Sequence, residues 1–569
     1  MFCSFNEFSF KRVFFAGAAL LAAAGCTETG DGGATPTPPP TGGPVGMTQT
    51  QAVKFLNQAT FGATQADIDN LRAIGYEQWL LDEFAKPQES LLQSVLLVEA
   101  SGAEAGRTEL SETFWARAIL GDDQLRQRAG FALSQIIVAS YASGDLEDRP
   151  VAMANYMDII NAGAFGNFRQ TLENVTYSPA MAIWLTYLQN QKADAEREVV
   201  PDENYAREIL QLFTIGLIDL QPNGEPVLDG SGNAIETYDN SDITELAKVF
   251  TGLSWAERSR FLGRPDDIRS EYLPLVMFDE EHSPESKVFL DTTIPANTPG
   301  DQSIGIALDA LFNHQNTAPF ISRQLIQRLV TSNPSPAYVN RVASAFRSGS
   351  FTMPDGRIAG GGGRGDMRAV FAAILLDQEA RDPSFATGAQ YGKVREPVIR
   401  FTQWARAFGV TSTDVGNEEL VRDTQAPSAL NQQAYRSPSV FNFYRPGYVQ
   451  PGSESAAAGM VAPELQITTA ASVTGYANFM TEFIFNNEGR TDFAPNYDTE
   501  IALAGDAAAL VDHLDMLLAH GSLTAETRTQ IIDAVNAISA GSGSFSRDEL
   551  RARLAVLFVM NSSDYIVQR

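Results

Sequence analysis

The chain has 569 residues, of which 44% are hydrophobic and 19% charged. That apolar share supports a large packed core and excludes a disordered or fibrous chain. The 41 Lys and Arg against 69 Asp and Glu give a net charge of −28, which opposes non-specific binding to nucleic acid and to anionic lipid headgroups.

The cysteines are Cys3 and Cys26. The body therefore offers neither a disulfide framework nor a cysteine-ligated zinc site. Lys11 and Arg12 precede the apolar run Val13–Leu21, and Ala22-Ala23-Ala24-Gly25-Cys26 follows. A basic region, a short apolar run and small residues before a cut predict a signal peptide over 1–25. Ala24-Gly25-Cys26 is similar to a lipobox, with Ala23 where Leu is more usual, and predicts lipidation of Cys26. Residues 26–47 are rich in Pro, Gly and Thr and read as a solvated tether. Thr27 follows the cysteine where an inner-membrane retention signal would place Asp. The expectation is an outer membrane lipoprotein facing the periplasm or the cell surface, anchored in the membrane by lipid.

The body, 48–569, reads as mainly α: a single large multi-helical domain with one small β-hairpin. Thr48 to Gly62 opens with a polar cap and carries Ala52, Phe55, Leu56 and Ala59 at helical spacing. Helical patterns follow at 65–85, 111–141, 151–162, 168–189, 304–313, 318–347, 366–377, 394–409 and 464–486. The tail adds 499–520, 524–540 and 546–560. Short apolar runs around Asp229-Gly230-Ser231-Gly232-Asn233 predict the hairpin at about 216–238. Gly360–Gly363 reads as a flexible loop, and Asp366 in Arg364-Gly365-Asp366 as the cap of the next helix rather than part of an adhesion motif.

Three segments carry candidate chemistry. On a helical wheel for Asp202–Gly216, Glu208 falls in an apolar arc between Leu212 and Ile215. A carboxylate there must be paired, protonated or put to use. In Tyr238–Trp255, Asp242 and Glu245 have capping-box spacing, and Lys248 falls on the polar face. In Phe278–Lys287, Asp279 and His282 form a carboxylate–imidazole pair in a chain with four histidines. Glu208, Asp279 and His282 are the candidate catalytic residues. A divalent metal with oxygen and nitrogen ligands is the permitted cofactor, its identity open, and His314 is a candidate third ligand or a loop cap. His513 and His520 read as surface residues of the helical tail.

The words Phe55–Gly62, Asp202–Gly216, Asp242–Trp255, Phe278–Lys287, His314–Ala318, Arg436–Tyr444 and Ser563–Arg569 resemble the bacterial family called domain of unknown function 1800. The resemblance spans most of the chain after the tether. It implies a secreted, largely helical protein, often encoded beside a second secreted family similar to sulfatases and alkaline phosphatases, which is the expected protein partner. It supplies no reaction. Two functions remain open from the sequence. One is a hydrolase acting on an envelope or extracellular polymer through Glu208, Asp279 and His282. The other is a non-catalytic envelope protein that binds a polysaccharide or a secreted partner, with Phe441, Phe443, Tyr444 and Tyr448 as contact residues.

Overall fold

Short polar signals set the helix ends. Thr48 caps α1 (Gln49–Ala59), where Thr48 and Gln51 bond each other's backbone. The pattern at 65–85 is two helices, α2 (Gln65–Ile74) and α3 (Tyr76–Ala85). Gly75 separates them at φ +83°, a conformation that ends a helix and favours glycine. The computed structural model describes residues 46–410, 423–485 and 493–569, apart from single positions at 104, 143, 258, 264, 266 and 389. The predicted signal peptide, Cys26 and the predicted tether to Val45 lie outside the described residues.

The helices that build the core are α4 (Arg107–Leu120), α5 (Gln124–Ser134), α6 (Pro150–Gly163), α7 (Phe168–Thr176), α8 (Asn204–Glu208) and α9 (Asn240–Ala247). They continue with α10 (Gly300–Asn313), α11 (Thr317–Leu329), α12 (Pro336–Ser348), α13 (Met367–Leu376) and α14 (Pro397–Ala407). The last are α15 (Ala470–Phe485), α16 (Ala507–Ala519), α17 (Ala525–Asn536) and α18 (Arg547–Asn561). Neighbours pack as α5 on α6, α11 on α12, α12 on α13, and α15, α16 and α17 around α18. Every residue of α5 is buried, so it is a core helix rather than an amphipathic one. One cluster of buried side chains runs from Ala52 to Tyr565, within a compact unit that begins at Gly43.

Strands are few and short. Among the described residues there are four two-stranded antiparallel ladders. They join β1 (Leu253–Ser254) to β2 (Val276–Met277), β3 (Lys287–Phe289) to β4 (Thr292–Ile294), β5 (Phe351–Thr352) to β6 (Ile358–Ala359) and β7 (Lys393–Val394) to β8 (Val567–Gln568). The β7–β8 pair returns the C-terminal end of the chain to its middle. Gln568 adds side-chain bonds to the carbonyls of Leu329 and Val330 at 2.9 and 3.3 Å.

The predicted hairpin is present with one more arm. Bridges join Leu220 to Pro226, Leu228 to Ala234 and Ile218 to Glu236, so each of three extended stretches touches the other two. Asn316, wholly buried, pins this unit. Its amide donates to the carbonyls of Ile215 and Ile218, both at 2.9 Å, and its oxygen accepts from Leu220 at 2.9 Å.

Other local expectations are revised. Gly360–Gly363 is tied down, since Gly361 donates to Asp366 Oδ2 at 2.7 Å and Gly362 to the Gly349 carbonyl at 2.9 Å. Asp366 caps α13 as expected. The capping box at α9 is Asp239 with Asp242, not Asp242 with Glu245. Glu245 instead holds Lys248, which also pairs with Glu285 and so is not free in solvent. His520 is buried at 5% exposure, because as the left-handed cap of α16 it turns the chain inward. Tyr444 is buried beneath Arg328, and Phe441 lies under Arg445; the four aromatics do not form an exposed sheet of rings.

Asn316→Ala would orphan three backbone groups of the three-armed unit. The expected loss is about 3 kcal/mol of unfolding free energy, read from urea melts of the two proteins.

Candidate ligand-binding cleft

Glu208 is the last residue of α8, and the next six residues, Ile209–Thr214, are π-helical. Ile215 accordingly donates to the Leu210 carbonyl, five residues back, at 3.0 Å. The wider turn moves Leu212 and Ile215 off the wheel positions that an α-helix would give them. Glu208 is nevertheless buried at 6% exposure, and its Oε2 has no hydrogen-bond partner. Burial raises its pKa, with Arg207 acting in the opposite sense. Burial and the Glu208 charge together push Tyr238 up to about 12.

Asp279 and His282 perform a different job. Asp279 Oδ1 accepts from the Gly300 N–H at 2.8 Å, at the start of α10. The His282 ring is buried between two elements. Its Nδ1 lies 2.9 Å from the Thr251 carbonyl, which fixes the proton on Nδ1, and Nε2 then accepts from the Ser303 hydroxyl at 3.3 Å. Burial lowers the His282 pKa, with Lys287 adding to it and the Thr251 carbonyl opposing. Both residues therefore fasten the loop after β2 to the first turn of α10.

Glu208 does not join them: among the described residues no hydrogen bond or ion pair links it to Asp279 or His282. His314 caps the far end of α10, where its Nδ1 accepts from the Asn316 N–H at 3.1 Å. No group of three or more His, Cys, Asp or Glu side chains among the described residues is placed to hold a metal ion.

The end of α10 that Asp279 and His282 fix borders a cleft of about 630 Å³. Its walls come from α6, the C-terminal end of α7, the 272–275 loop and Asp301 in the first turn of α10. Tyr177 donates to Asp301 Oδ1 at 2.6 Å across the mouth. Its pKa is raised by burial and by that carboxylate. Glu173 is held by Arg169 at 2.7 Å, and Arg169 also reaches Asp309 at 2.6 Å. Tyr272 presents a second aromatic ring, and Asn155 and Asn174 present side-chain amides. Ser178 lines the same cleft at 1% exposure, and its hydroxyl has no partner. A buried orphan hydroxyl costs free energy until something bonds it.

A profile of the family described as "Protein of unknown function (DUF1800)" matches residues 54–567. The chain belongs to that family. No curated protein and no solved structure matches it. In this DUF1800 protein the Phe278–Lys287 word contains the α10 fastening, and the cleft beside it is built from residues the sequence left among its helices. Tyr177 and Ser178 sit within the predicted 168–189 helix, which in fact breaks at that point. Ser178-Pro179 was the available signal, because the residue before proline is pushed out of helical geometry.

The folded protein disfavours protonated His282, while the unfolded chain binds a proton near the ordinary imidazole value of 6.5. Its contribution is thus present above that value and lost as pH falls below it. His282→Ala should cost about 1–3 kcal/mol by orphaning its partners. It should also flatten the decline of Tm between pH 6.5 and 5, read by calorimetry beside the parent.

Proposed function

We propose that the protein is a non-catalytic glycan-binding lipoprotein of the cell envelope, with its ligand seated in the cleft between Tyr177 and Tyr272. What carries the reading is a cleft of about 630 Å³ whose walls offer aromatic faces, carboxylates and amides side by side. Sugar hydroxyls both donate and accept, and so match Asn155, Asn174 and Asp301 together. Sugar C–H faces match the rings of Tyr177 and Tyr272. Both cleft carboxylates already serve as acceptors, Glu173 from Arg169 and Asp301 from Tyr177. A glycosidase instead needs one carboxylic acid kept ready to protonate the leaving oxygen. That contrast favours binding over hydrolysis.

The chain's −28 charge directs the ligand toward neutral polysaccharides, since acidic ones are repelled on approach. The lipid at Cys26 and the tether after it would hold the cleft off the membrane, within reach of a polymer.

Glycan arrays and calorimetry on the purified body test this reading. Neutral oligosaccharides should bind, and Tyr272→Ala should weaken them by about 1 kcal/mol or more, roughly fivefold or above. Retention of full affinity by both Tyr272→Ala and Asn155→Ala would place the ligand elsewhere. The anchor is tested separately: a metabolic fatty-acid probe should label the parent and not Cys26→Ser.

A further inference from the structure

A second cavity, of about 90 Å³, lies where β7 and the start of α14 meet α15 and the C-terminal segment. It shares no lining residue with the cleft. Its walls are largely aliphatic, with Val394 on β7, Leu430, Leu465 and, just before β8, Ile566. Val473 on α15 also lines it and is 57% exposed, so the cavity opens to the surface.

One cation stands in this wall. Arg400, in the first turn of α14, is 8% exposed. Its guanidinium carbon sits 4.0 Å from the centre of the Tyr476 ring, which lines the same cavity. Tyr565 holds the backbone there, donating to the Arg400 carbonyl at 3.3 Å. The Arg400 Nε is closed off without a partner, and among the described residues no carboxylate forms an ion pair with the guanidinium. The other polar side chains of the wall are committed. The Ser472 hydroxyl donates to the Ile467 carbonyl at 3.0 Å and that of Thr468 to the Glu464 carbonyl at 3.2 Å. The Asn561 amide donates to the Leu557 carbonyl at 2.8 Å. What the cavity lacks is a counter-charge for Arg400, and it lacks it beside apolar surface.

A guanidinium withdrawn from water without a counter-charge is unfavourable, and stacking on one ring offsets part of that cost. An inorganic anion would meet the charge and leave the aliphatic wall uncovered. A phosphoryl group would bring more oxygens than one guanidinium can satisfy. A carboxylate has two oxygens in a plane, which match the fork of the Nη atoms, and a hydrocarbon tail matches the wall. Volume limits the tail. At roughly 10–15 Å³ for each water-sized group, the cavity holds about six to nine non-hydrogen atoms.

We propose that Arg400 anchors a binding site for a short-chain aliphatic monocarboxylate, of the length of butyrate to heptanoate. The carboxylate sits on the guanidinium and the tail lies among Leu430, Leu465 and Ile566.

Calorimetric titration of the purified protein with the sodium salts of acetate to decanoate tests the site. Binding should tighten about fourfold per added methylene up to a chain of about four to seven carbons, and weaken beyond it. Hexanol, with the tail and no charge, should bind about tenfold or more less tightly than hexanoate. Arg400→Met keeps an unbranched side chain, removes the charge and should weaken hexanoate by a similar factor. Crystals of the parent soaked in 6-bromohexanoate give a measurement that needs no variant: the bromine should produce an anomalous peak inside the cavity. Equal affinity for hexanol and hexanoate, affinity that ignores chain length, or full hexanoate affinity in folded Arg400→Met overturns the proposal. A soaked crystal without bromine in the cavity overturns it too.

Discussion

The interaction on which this fold depends is a set of charges withdrawn from water at the centre of the body. Lys393 Nζ lies 3.2 Å from Glu464 and 3.8 Å from Glu396, and donates to the Arg328 carbonyl at 2.7 Å. Glu396 accepts from Gln135 at 2.6 Å and Gln432 at 2.7 Å. Arg128 donates to the Arg328 carbonyl at 2.8 Å, and Arg328 lies over Tyr444 at 4.7 Å. Burial pushes Glu396 upward, but Lys393, Arg128 and Arg328 win and hold it below the usual range. Glu464 has weaker support and is raised. Such a network is a poor source of net stability, but removal of one partner strands another charge in the core. Its value here is register. It ties α5, α11, β7, α14 and the segment at 464 to one arrangement, and few wrong packings would satisfy all five charges.

Smaller fastenings extend that logic outward. Asn316 closes the three-armed unit at 217–237, and His282 with Asp279 sets the first turn of α10. Each uses one buried polar side chain to satisfy backbone or hydroxyl groups from distant segments, which is how irregular loops become rigid enough to shape a site. The cleft is a product of this. Asp301 faces Tyr177 because the loop containing Asp279 and His282 fixes the helix end that carries it. The candidate residues of the sequence are thus positioning groups beside the cleft, while Glu208 stands apart at the α-to-π junction.

Much of the fold was legible because its signals are local. Thr48 with Gln51 and Asp366 do what their neighbours in sequence require, whereas the break at Gly75 inside the 65–85 pattern went unread. The family words likewise held, since they consist of contiguous residues. The site was less legible for physical reasons. A helical wheel assumes a constant turn, and the π-helical run after Glu208 breaks that assumption. His520 read as a surface residue because it lies in the helical tail, whereas a left-handed cap turns the chain and buries the ring. Tyr177 and Asp301 are 124 residues apart, and no periodicity links them.

The chain is strongly acidic as a whole, while its interior holds buried charges of both signs. The chain as a whole is at −28, and Lys393, Glu396 and Glu464 lie together in the interior. The two facts have different consequences because screening differs. At physiological salt, surface charges fade within about 8 Å, so the acidic exterior acts mainly on what comes close, keeping the body soluble and turning away acidic polymers. Buried cations are not screened and act at full strength on whatever packs beside them. The proposed neutral ligand in an exposed cleft and a paired set of charges in the core are therefore compatible in one sequence. The exterior field sets what may approach, and the interior field sets what must be enclosed before the helices can close.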